Sequence, residues 1–306
     1  MSSKDIFFDK RVLVTGANGF IGGKLCIKLK ELGAEIYGIS RSGPKESEEI
    51  DRWITGDLVN YDFIKSTINS IKPDTIFHLA GYVSGKRELE AVLPSYHNNL
   101  TSTINILTAS TEFDIQRLVL SGSLEEPKSG DEEIVPVSPY AASKWAGTLY
   151  AKMFYKLYGT PVTIPRIFMV YGPGKQDFEK LVPYVVQTLH KKNSPNLTSG
   201  SRLVDWIYID DIVEGLIRMA IEEGVEGRAI DLGSGRQFSV KEVAQKIKTI
   251  IGGNTEINFG KKPDRDFERI RKADLDTTQK LIDWEPQIDI DEGLRRTVKW
   301  FENINQ

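Results

Sequence analysis

Val12-Leu13-Val14-Thr15-Gly16-Ala17-Asn18-Gly19-Phe20-Ile21-Gly22-Gly23 is the stretch of the 306-residue chain that decides its fold. The apolar run 12–14 predicts a buried strand, and the apolar-periodic stretch 20–32 predicts a helix. The glycines between them allow a tight turn and leave no side chain between the backbone and a ligand. A strand, a glycine turn and a helix N-terminus form a site for a pyrophosphate, because free N–H groups and the helix dipole point at it.

The glycine spacing of this turn is G-x-x-G-x-x-G, whereas most dinucleotide sites have G-x-G-x-x-G. Glycine turns between strands and helices are common, so the spacing alone is weak evidence. Its position in the first strand–helix unit favours phosphate binding. The residues of the turn that we expect to contact a cofactor are Gly16, Asn18, Gly19, Phe20, Ile21 and Gly22.

Composition narrows the class of protein. The net charge is −3 and no basic cluster stands out, so we expect no nucleic-acid partner. Cys26 is the only cysteine, which excludes an internal disulfide and a cysteine metal site, and we expect it to be a packed thiol and predict no metal. The charged start predicts no secretory leader, and no apolar run is long enough for a membrane, so a cytoplasmic location is expected.

Apolar runs recur between helical patterns in the first half of the chain. Alternating strands and helices, with several continuously apolar strands, predict a doubly wound parallel sheet that helices cover on both faces. Ligands of such sheets bind beyond the carboxyl ends of the strands, where we expect Gly16, Asp57, Ala80 and Ser123 to meet. The predicted strands are 35–40, 53–58, 75–81 and 118–120, with a helix over 88–110.

The end of the second predicted strand bears on the choice of nicotinamide cofactor. An acidic residue there binds a free ribose 2′-hydroxyl, and an arginine accommodates a 2′-phosphate. The chain has Ser40 and Arg41 at this point and no carboxylate. We therefore favour NADP(H) over NAD(H), because a guanidinium pairs well with a phosphate. The alternative is a solvated loop arginine.

Residues that follow the third and fourth strands have two interpretations each. Asp57 is suited to accept a hydrogen bond from an adenine amino group, or it caps the helix that starts near Tyr61. The small residues Ala80 and Gly81 allow a cofactor to approach closely. His78 lies in an apolar run with no carboxylate nearby in sequence, so we expect a packed residue and not a base.

The sharpest chemical feature is Tyr140-Ala141-Ala142-Ser143-Lys144 at the start of a predicted helix over 140–157. Residues four apart share a helix face, and an ammonium beside a phenol lowers the pKa of the phenol. Such a tyrosine exchanges a proton with a substrate hydroxyl or carbonyl. Ser123 is placed to hydrogen-bond the same oxygen. A chance surface pair is the alternative, but the position directly after the fifth strand favours catalysis.

Ordered motifs of this kind run along nearly the whole chain. They are Thr15–Gly22, Gly56–Leu58, His78–Gly81, Asn99 with Thr103 and Asn105, Ser123, Tyr140 with Lys144, Arg166 with Val170–Gly174, Asp205–Asp211, Leu232–Gly235, and Ala273–Leu275 through Trp284–Pro286 to Glu292–Leu294. With them the chain resembles the extended short-chain dehydrogenase/reductases, in the group of nucleotide-sugar epimerases, dehydratases and ketoreductases.

The resemblance implies a Rossmann-type sheet with a smaller C-terminal α/β lobe for substrate. It implies an NAD(P)-binding domain over 1–165, joined by strands returning from the C-terminal half, and a nucleotide-sugar-binding lobe mainly over 166–306. Tyr140 would be the acid/base, Lys144 would hold the nicotinamide ribose, and Ser123 would polarise the sugar carbonyl. Further expected cofactor contacts are Leu58, Leu79, Asn99 and Ile167.

The chain departs from the family pattern around the substrate. Met169 stands where many members have an asparagine that meets the substrate, and Val204 stands where many have a diphosphate-binding arginine. Arg202, on the same face of a predicted strand, is expected to substitute, and Arg265 is a second candidate. The usual Val-Tyr-Gly after the serine is replaced by Glu126-Pro127-Lys128.

The triad fits several reactions on a nucleoside-diphosphate sugar. Arg41 favours an NADP-dependent reductase of a 4-keto-6-deoxy sugar, and a 4-epimerase with bound NAD is the alternative. A 4,6-dehydratase ranks third: Glu125 fits its base, but Leu124 has no titratable group for its acid, and Glu125 and Glu126 are then a solvated loop. A non-catalytic NADP-binding sensor or scaffold is the hypothesis from another class.

Relatives that dimerise pair two helices of each subunit in a four-helix bundle. The matching helices here are those predicted over 88–110 and 140–157. The second carries more apolar residues at helical spacing than one core face needs, namely Leu149, Met153, Phe154 and Leu157. We therefore expect a homodimer, although these residues are equally suited to pack inside the monomer.

Overall fold

The strand predicted at Val12–Val14 lies at the centre of a parallel sheet in the computed structural model, which describes residues 6–42, 49–128, 134–265 and 268–304. Within those residues the strands are β1 Arg11–Thr15, β2 Glu35–Ser40, β3 Arg52–Thr55, β4 Thr75–His78, β5 Arg117–Leu120, β6 Gly122–Ser123, β7 Val162–Ile167, β8 Met169–Tyr171, β9 Leu203–Tyr208, β10 Ala229–Leu232 and β11 Gln237–Ser239.

The large sheet has the strand order β10-β7-β5-β4-β1-β2-β3, and β6 extends it by pairing with β7. Every pair in it is parallel. The order reverses between β1 and β4, and ligands of open α/β sheets bind at such a point. The predicted doubly wound parallel sheet is confirmed.

Helices cover both faces of this sheet. In the part of the chain that the structure describes, the helices are α1 Phe20–Glu31, α2 Tyr61–Ile71, α3 Val92–Ser95, α4 Ser102–Glu112, α5 Pro139–Tyr158, α6 Leu181–His190, α7 Ile209–Ile221, α8 Val240–Ile251, α9 Leu275–Ile282 and α10 Ile290–Ile304, of which α6, α8 and α10 belong to the C-terminal layer. On one face α1 packs beside α7, and on the other α2, α4 and α5 pack in a row. Cys26 is buried in the first of these layers, as expected, and burial raises its pKa to about 12.

Two predicted strands end earlier than their apolar runs. The predicted strand 53–58 stops at Thr55, and the predicted strand 75–81 stops at His78. After His78 the chain turns towards β1, because the amides of Leu79 and Ala80 donate to the carbonyl and hydroxyl of Thr15. Residues 56–58 and 79–81 are therefore loops at the carboxyl edge of the sheet.

The helix predicted over 88–110 is not one regular helix. A 3₁₀ turn at Leu89–Ala91 leads into α3, and a π-helical turn at Tyr96–Thr101 separates α3 from α4. A π turn widens the helix by one residue, and such turns occur frequently at functional sites. Sequence periodicity could not reveal this single inserted residue.

The C-terminal half builds a second layer of structure against the first. A small sheet of order β11-β9-β8 packs with α6, α8 and α10 around a core that includes Tyr171, Trp206 and Phe301. Two strands of this half, β7 and β10, join the large sheet. In the part of the chain that the structure describes, no helix combines the length and the apolarity needed to cross a membrane.

Candidate active site

The glycine turn between β1 and α1 is closely packed. Gly16 has a φ of +73°, and a Cβ on it would lie 2.8 Å from the amide nitrogen of Ala80. A Cβ on Gly22 would lie 2.1 Å from the carbonyl oxygen of Gly16. Gly19 is the N-cap of α1 and has no side chain, so no side-chain cap occupies the first amides of the helix. This geometry fits a bound pyrophosphate.

A cleft of about 590 Å³ opens above this turn, at the point where the strand order reverses. The predicted cofactor residues Gly16, Asn18, Gly19, Phe20, Ile21, Gly22, Ser40, Arg41, Asp57, Leu58, Leu79, Ala80, Gly81, Tyr140, Lys144 and Ile167 all line it, as do Ser123, Glu125 and Met169. Side chains from many segments of the chain thus face one cavity.

Asn99 is the exception among the expected cofactor contacts. Its side chain is 2% exposed and does not line the cleft. Its Oδ1 accepts from the amide of Tyr82 at 2.6 Å, and its Nδ2 donates to the Tyr82 carbonyl and the Ser143 hydroxyl. In the structure the Asn99 side chain bonds within the protein, and a direct contact with the cofactor stays a prediction. Asn99 ties the loop after β4 to helix α5.

The far end of the cleft lies at the carboxyl end of β2. The guanidinium of Arg41 donates to Oδ1 of Asn98 at 2.9 Å, and Asn98 belongs to the π turn. The side-chain Nδ2 of Asn18 donates to the hydroxyl of Ser40 at 3.4 Å. Asp57 faces the cleft and does not cap α2, because the side chain of Asn60 caps that helix.

Ser123, Tyr140 and Lys144 meet on the inner wall of the cleft. Helix α5 is positioned by its cap, because the Ser138 hydroxyl accepts from the amide of Ala141 and Pro139 opens the first turn. The phenol of Tyr140 lies near the side chain of Ser123, which opposes the rise of the phenol's pKa. The predicted triad is therefore assembled in space, although β6 and α5 contribute its members separately.

In the cofactor-free protein the pKa of Tyr140 is raised, whereas the sequence predicted that it would be lowered. Burial raises this pKa, the carboxylate of Glu125 raises it further, and the bond to Ser123 opposes them. The ammonium of Lys144 does not donate to the phenol but to the carbonyl and hydroxyl of Ser121, at 2.8 and 2.9 Å. Burial lowers the pKa of Lys144 to about 8.

The two acidic residues after Ser123 are not a solvated loop. Glu125 is half-buried and accepts from the Ser138 hydroxyl at 3.2 Å. Glu126 is 2% exposed and lies behind the serine. Sequence reasoning missed this burial, since two consecutive glutamates in a turn are usually exposed.

The residues expected to bind the substrate divide between two cavities. Met169 faces the large cleft, whereas Arg202 and Arg265 line a small neighbouring cavity that Glu125 also borders. Glu268 pairs with Arg202 at 3.0 Å and with Arg265 at 3.8 Å. Arg202 lies one residue before β9, and Val204 is buried in the C-terminal core. Nε of Arg202 is buried without a hydrogen-bond partner in the described structure, which suits a site for an anion.

Several residues of the cleft were not found from the sequence. Lys175, Gln176 and Lys180 line it after the glycines at 172 and 174. Gln176 donates to the carbonyl of Val170, and its Oε1 is buried without a partner in the described structure. The sequence does contain a signal for them, because Lys175 and Lys180 follow a glycine-rich turn and cations suit an anionic ligand.

Comparison with known proteins identifies the family. The model of the NAD dependent epimerase/dehydratase family matches residues 12–233, and the chain belongs to this family. It is an enzyme of the extended short-chain dehydrogenase/reductase type.

Curated relatives match over nearly their whole length. UDP-glucuronate 4-epimerase of Thermodesulfobacterium geofontis is 28% identical, over 95% of this chain and 96% of that protein. UDP-glucose 4-epimerase of Mycolicibacterium smegmatis is 29% identical, over 97% of this chain and 100% of that protein.

Solved structures have the same fold. Epimerase Mth375 of Methanothermobacter thermautotrophicus superposes with a TM-score of 0.87 at 28% identity, covering 99% of this chain and 95% of that one. UDP-glucuronic acid 4-epimerase of Bacillus cereus, in complex with UDP-glucuronic acid and NAD, has a TM-score of 0.82 at 23% identity, covering 96% and 99%. NAD is thus bound in a neighbouring structure.

His78 gives a test of the packing beneath the cleft. It is 1% exposed, its Nδ1 lies 2.8 Å from the Thr15 hydroxyl, and burial and the charge of Lys144 lower its pKa to about 3. Below a pH of about 6.5, His78 is protonated in the unfolded chain but stays neutral in the folded protein. The free energy of unfolding therefore falls as the pH falls. Between pH 7 and 5 this costs about 2 kcal/mol, and the His78→Asn variant should lack that share of the loss.

Urea unfolding at a series of pH values measures this difference. The exposed His97 provides the control, and His97→Asn should keep the pH dependence of the unsubstituted protein. Equal pH dependence in the His78→Asn variant and the unsubstituted protein would contradict the assignment.

Proposed function

We propose that the protein is a nucleoside-diphosphate-sugar 4-epimerase. The observation that carries this proposal is the meeting of Ser123, Tyr140 and Lys144 on the inner wall of a cleft that also contains the glycine turn. The chain aligns over at least 95% of its length with proteins named as UDP-sugar 4-epimerases. This support favours epimerisation over the reduction that the sequence alone suggested.

A 4-epimerase must remove the proton of one sugar hydroxyl and later restore it. The Tyr140 phenol is proposed to exchange that proton, and the Ser123 hydroxyl to donate a hydrogen bond to the same oxygen. The nicotinamide cofactor, when bound, supplies a reversible hydride acceptor. Exchange near neutral pH requires the pKa of Tyr140 to fall in the complex, because burial raises it in the free protein.

Residues around the cleft fit the two ends of a nucleotide sugar and its cofactor. The glycine turn is proposed to hold the cofactor pyrophosphate, and Lys144 its nicotinamide ribose. Arg202 and Arg265 are proposed to bind the substrate diphosphate in place of Glu268, which pairs with both. In this assignment residues 1–165 bind the cofactor, and residues 166–306 supply most of the substrate site.

A reductase that uses NADPH is the second candidate, and Arg41 favours it. The described residues at the carboxyl end of β2 offer hydroxyls and a guanidinium that Asn98 holds in place. A fixed guanidinium suits a ribose 2′-phosphate. For this second candidate we propose NADP(H) as the preferred cofactor, whereas the main proposal implies NAD, which the neighbouring structure contains.

The epimerase proposal predicts the effect of Tyr140→Phe. Loss of the proton-exchanging phenol should lower kcat at least about 100-fold with UDP-glucose or UDP-glucuronate as substrate. Separation of the two C4 epimers by chromatography measures the turnover. Tyr150→Phe, at an exposed position of the same helix, should leave kcat unchanged.

The same assay separates the two candidate reactions. Epimerisation proceeds without net consumption of nicotinamide, whereas reduction of a 4-keto sugar consumes NADPH in a one-to-one ratio. Turnover by reduction only, with no epimer formed from any UDP-sugar, would contradict the main proposal.

Arg41→Ala tests the cofactor proposal. Removing charge-assisted hydrogen bonds to a 2′-phosphate should weaken NADPH binding about 10- to 100-fold and leave NADH binding unchanged. Fluorescence titration of each dinucleotide measures both affinities. Arg228→Ala, at an exposed position, should change neither. Tight NADH binding that is indifferent to Arg41 would instead assign NAD.

We also propose that the protein is a homodimer. The helical stretch 89–112 and α5 contact each other and expose large apolar side chains, namely Leu89, Leu93, Tyr96, Leu149 and Leu157. The double variant Leu149→Glu with Leu157→Glu should sediment as a monomer at concentrations where the unsubstituted protein is a dimer. Ile304→Glu, at an exposed apolar position elsewhere, should remain a dimer. A monomeric unsubstituted protein would refute the proposal.

A further inference from the structure

Glu126 is a buried carboxylate directly behind the candidate catalytic serine. Its Oε1 accepts a hydrogen bond from the amide of Ser123 at 2.7 Å. Its own amide donates to the Ser123 carbonyl at 3.2 Å, so backbone and side chain close one tight turn. The amide of Glu125 donates to the Ser123 hydroxyl at 3.2 Å. The position of that hydroxyl therefore depends on the conformation of this turn.

Gly122 provides the room for the carboxylate. A Cβ at this position would lie 2.8 Å from Oε1 of Glu126 and 3.1 Å from Cγ2 of Ile164. A side chain here would have to displace the carboxylate or the neighbouring strand β7. The glycine and the glutamate are thus a matched pair in this turn.

Charged and polar groups face Glu126 from every element packed against it. Tyr140, Lys144 and Thr148 face it from α5, and Arg166 faces it from β7. Burial raises the pKa of Glu126, and the bond from the Ser123 amide, the nearby Thr148 hydroxyl and the charges of Lys144 and Arg166 oppose this rise. The charge of Glu126 in turn raises the pKa of Lys144 against the effect of burial.

Arg166 already has a carboxylate partner in contact. Its Nε lies 2.7 Å from Oδ1 of Asp231, which is almost fully buried. The hydrogen bonds of Lys144 go to the carbonyl and hydroxyl of Ser121, and neither group carries a charge. Beside Lys144, Glu126 therefore supplies negative charge that Ser121 cannot.

We propose that Glu126 is a positioning residue. Its carboxylate accepts from the amide of Ser123 and so fixes the turn, and the same carboxylate is the buried counter-charge of Lys144. This inference rests on the proposed roles of Ser123 and Lys144. The hydrogen bond alone does not require a charge, because a glutamine oxygen accepts from an amide equally well. Charge and shape can therefore be separated by substitution.

The test measures the pKa of Lys144 in the cofactor-free protein. Lysine ¹³Cε resonances are followed with pH by NMR, and Lys144 is assigned from its absence in a Lys144→Met variant. From its starting value of about 8, the pKa of Lys144 should fall by about one unit or more in Glu126→Gln, because the opposite charge that raises it is lost. Glu126→Asp keeps the charge and should keep the pKa within about half a unit.

Asp211→Asn is the matched control. Asp211 is also a buried carboxylate, and it accepts from the amides of Gln287 and Ile288 in the C-terminal half. This variant should leave the pKa of Lys144 unchanged. An unchanged pKa in Glu126→Gln, or an equal fall in Asp211→Asn, would overturn the proposal.

A second readout separates this inference from the proposed function. In Glu126→Gln the acid limb of the pH–kcat profile should move to lower pH, since the negative charge that raises the pKa of Tyr140 is removed. A fall in the pKa of Lys144 without any epimerase turnover would reject the function and support the role of Glu126. Turnover with an unchanged pKa of Lys144 would do the reverse.

Discussion

The buried carboxylate of Asp231 holds together the parts of the chain on which the cleft depends. Its oxygens lie 2.7 Å from Nζ of Lys128 and 2.7 Å from Nε of Arg166, and one of them accepts from the amide of Asp274 at 3.2 Å. These partners belong to the turn after β6, to β7 and to the start of α9. Removing one member of a buried ion pair costs about 3–5 kcal/mol, because a charge is left without compensation. The site is thus anchored by an interaction that lies outside it.

This anchor explains how the chain tolerates its unusual sequence after the serine. Lys128 donates to Asp231, while the side chain of Glu126 turns inward beneath Ser123. Two charged side chains with separate partners thus stand in the segment where the family usually has Val-Tyr-Gly. On the other side, Ser123 pairs with Ile167 directly after Arg166. Ser123 therefore lies between the turn that carries Lys128 and the strand that carries Arg166, and both of these side chains pair with Asp231. A departure from the family pattern has become part of the framework of the site.

The sequence predicted the parts of the fold that depend on local patterns. The glycine turn, the apolar strands and the Tyr140–Lys144 spacing can each be recognised within a few residues, and all are present, although two strands are shorter than predicted. The inward role of Asn99 and the bond from Lys144 to Ser121 depend on partners 17 to 44 residues away, and the burial of Glu126 depends on how the turn after Ser123 folds inward. The direction of the Tyr140 pKa was wrong for the same reason. It is set by burial and by the charge of Glu125, and helical spacing alone reveals neither.

The π turn at Tyr96–Thr101 has a consequence for how this segment tolerates change in length. Within it, neighbouring residues serve opposite sides of the structure: Asn98 meets Arg41 at the cleft, and Asn99 meets Tyr82 and Ser143 in the interior. Deleting one residue of the turn would restore a regular helix and remove one of these two neighbouring positions, because the wide turn accommodates the extra residue locally. No single asparagine could then satisfy both sides. The extra residue therefore acts as a spacer whose length is as constrained as the identity of any side chain in the cleft.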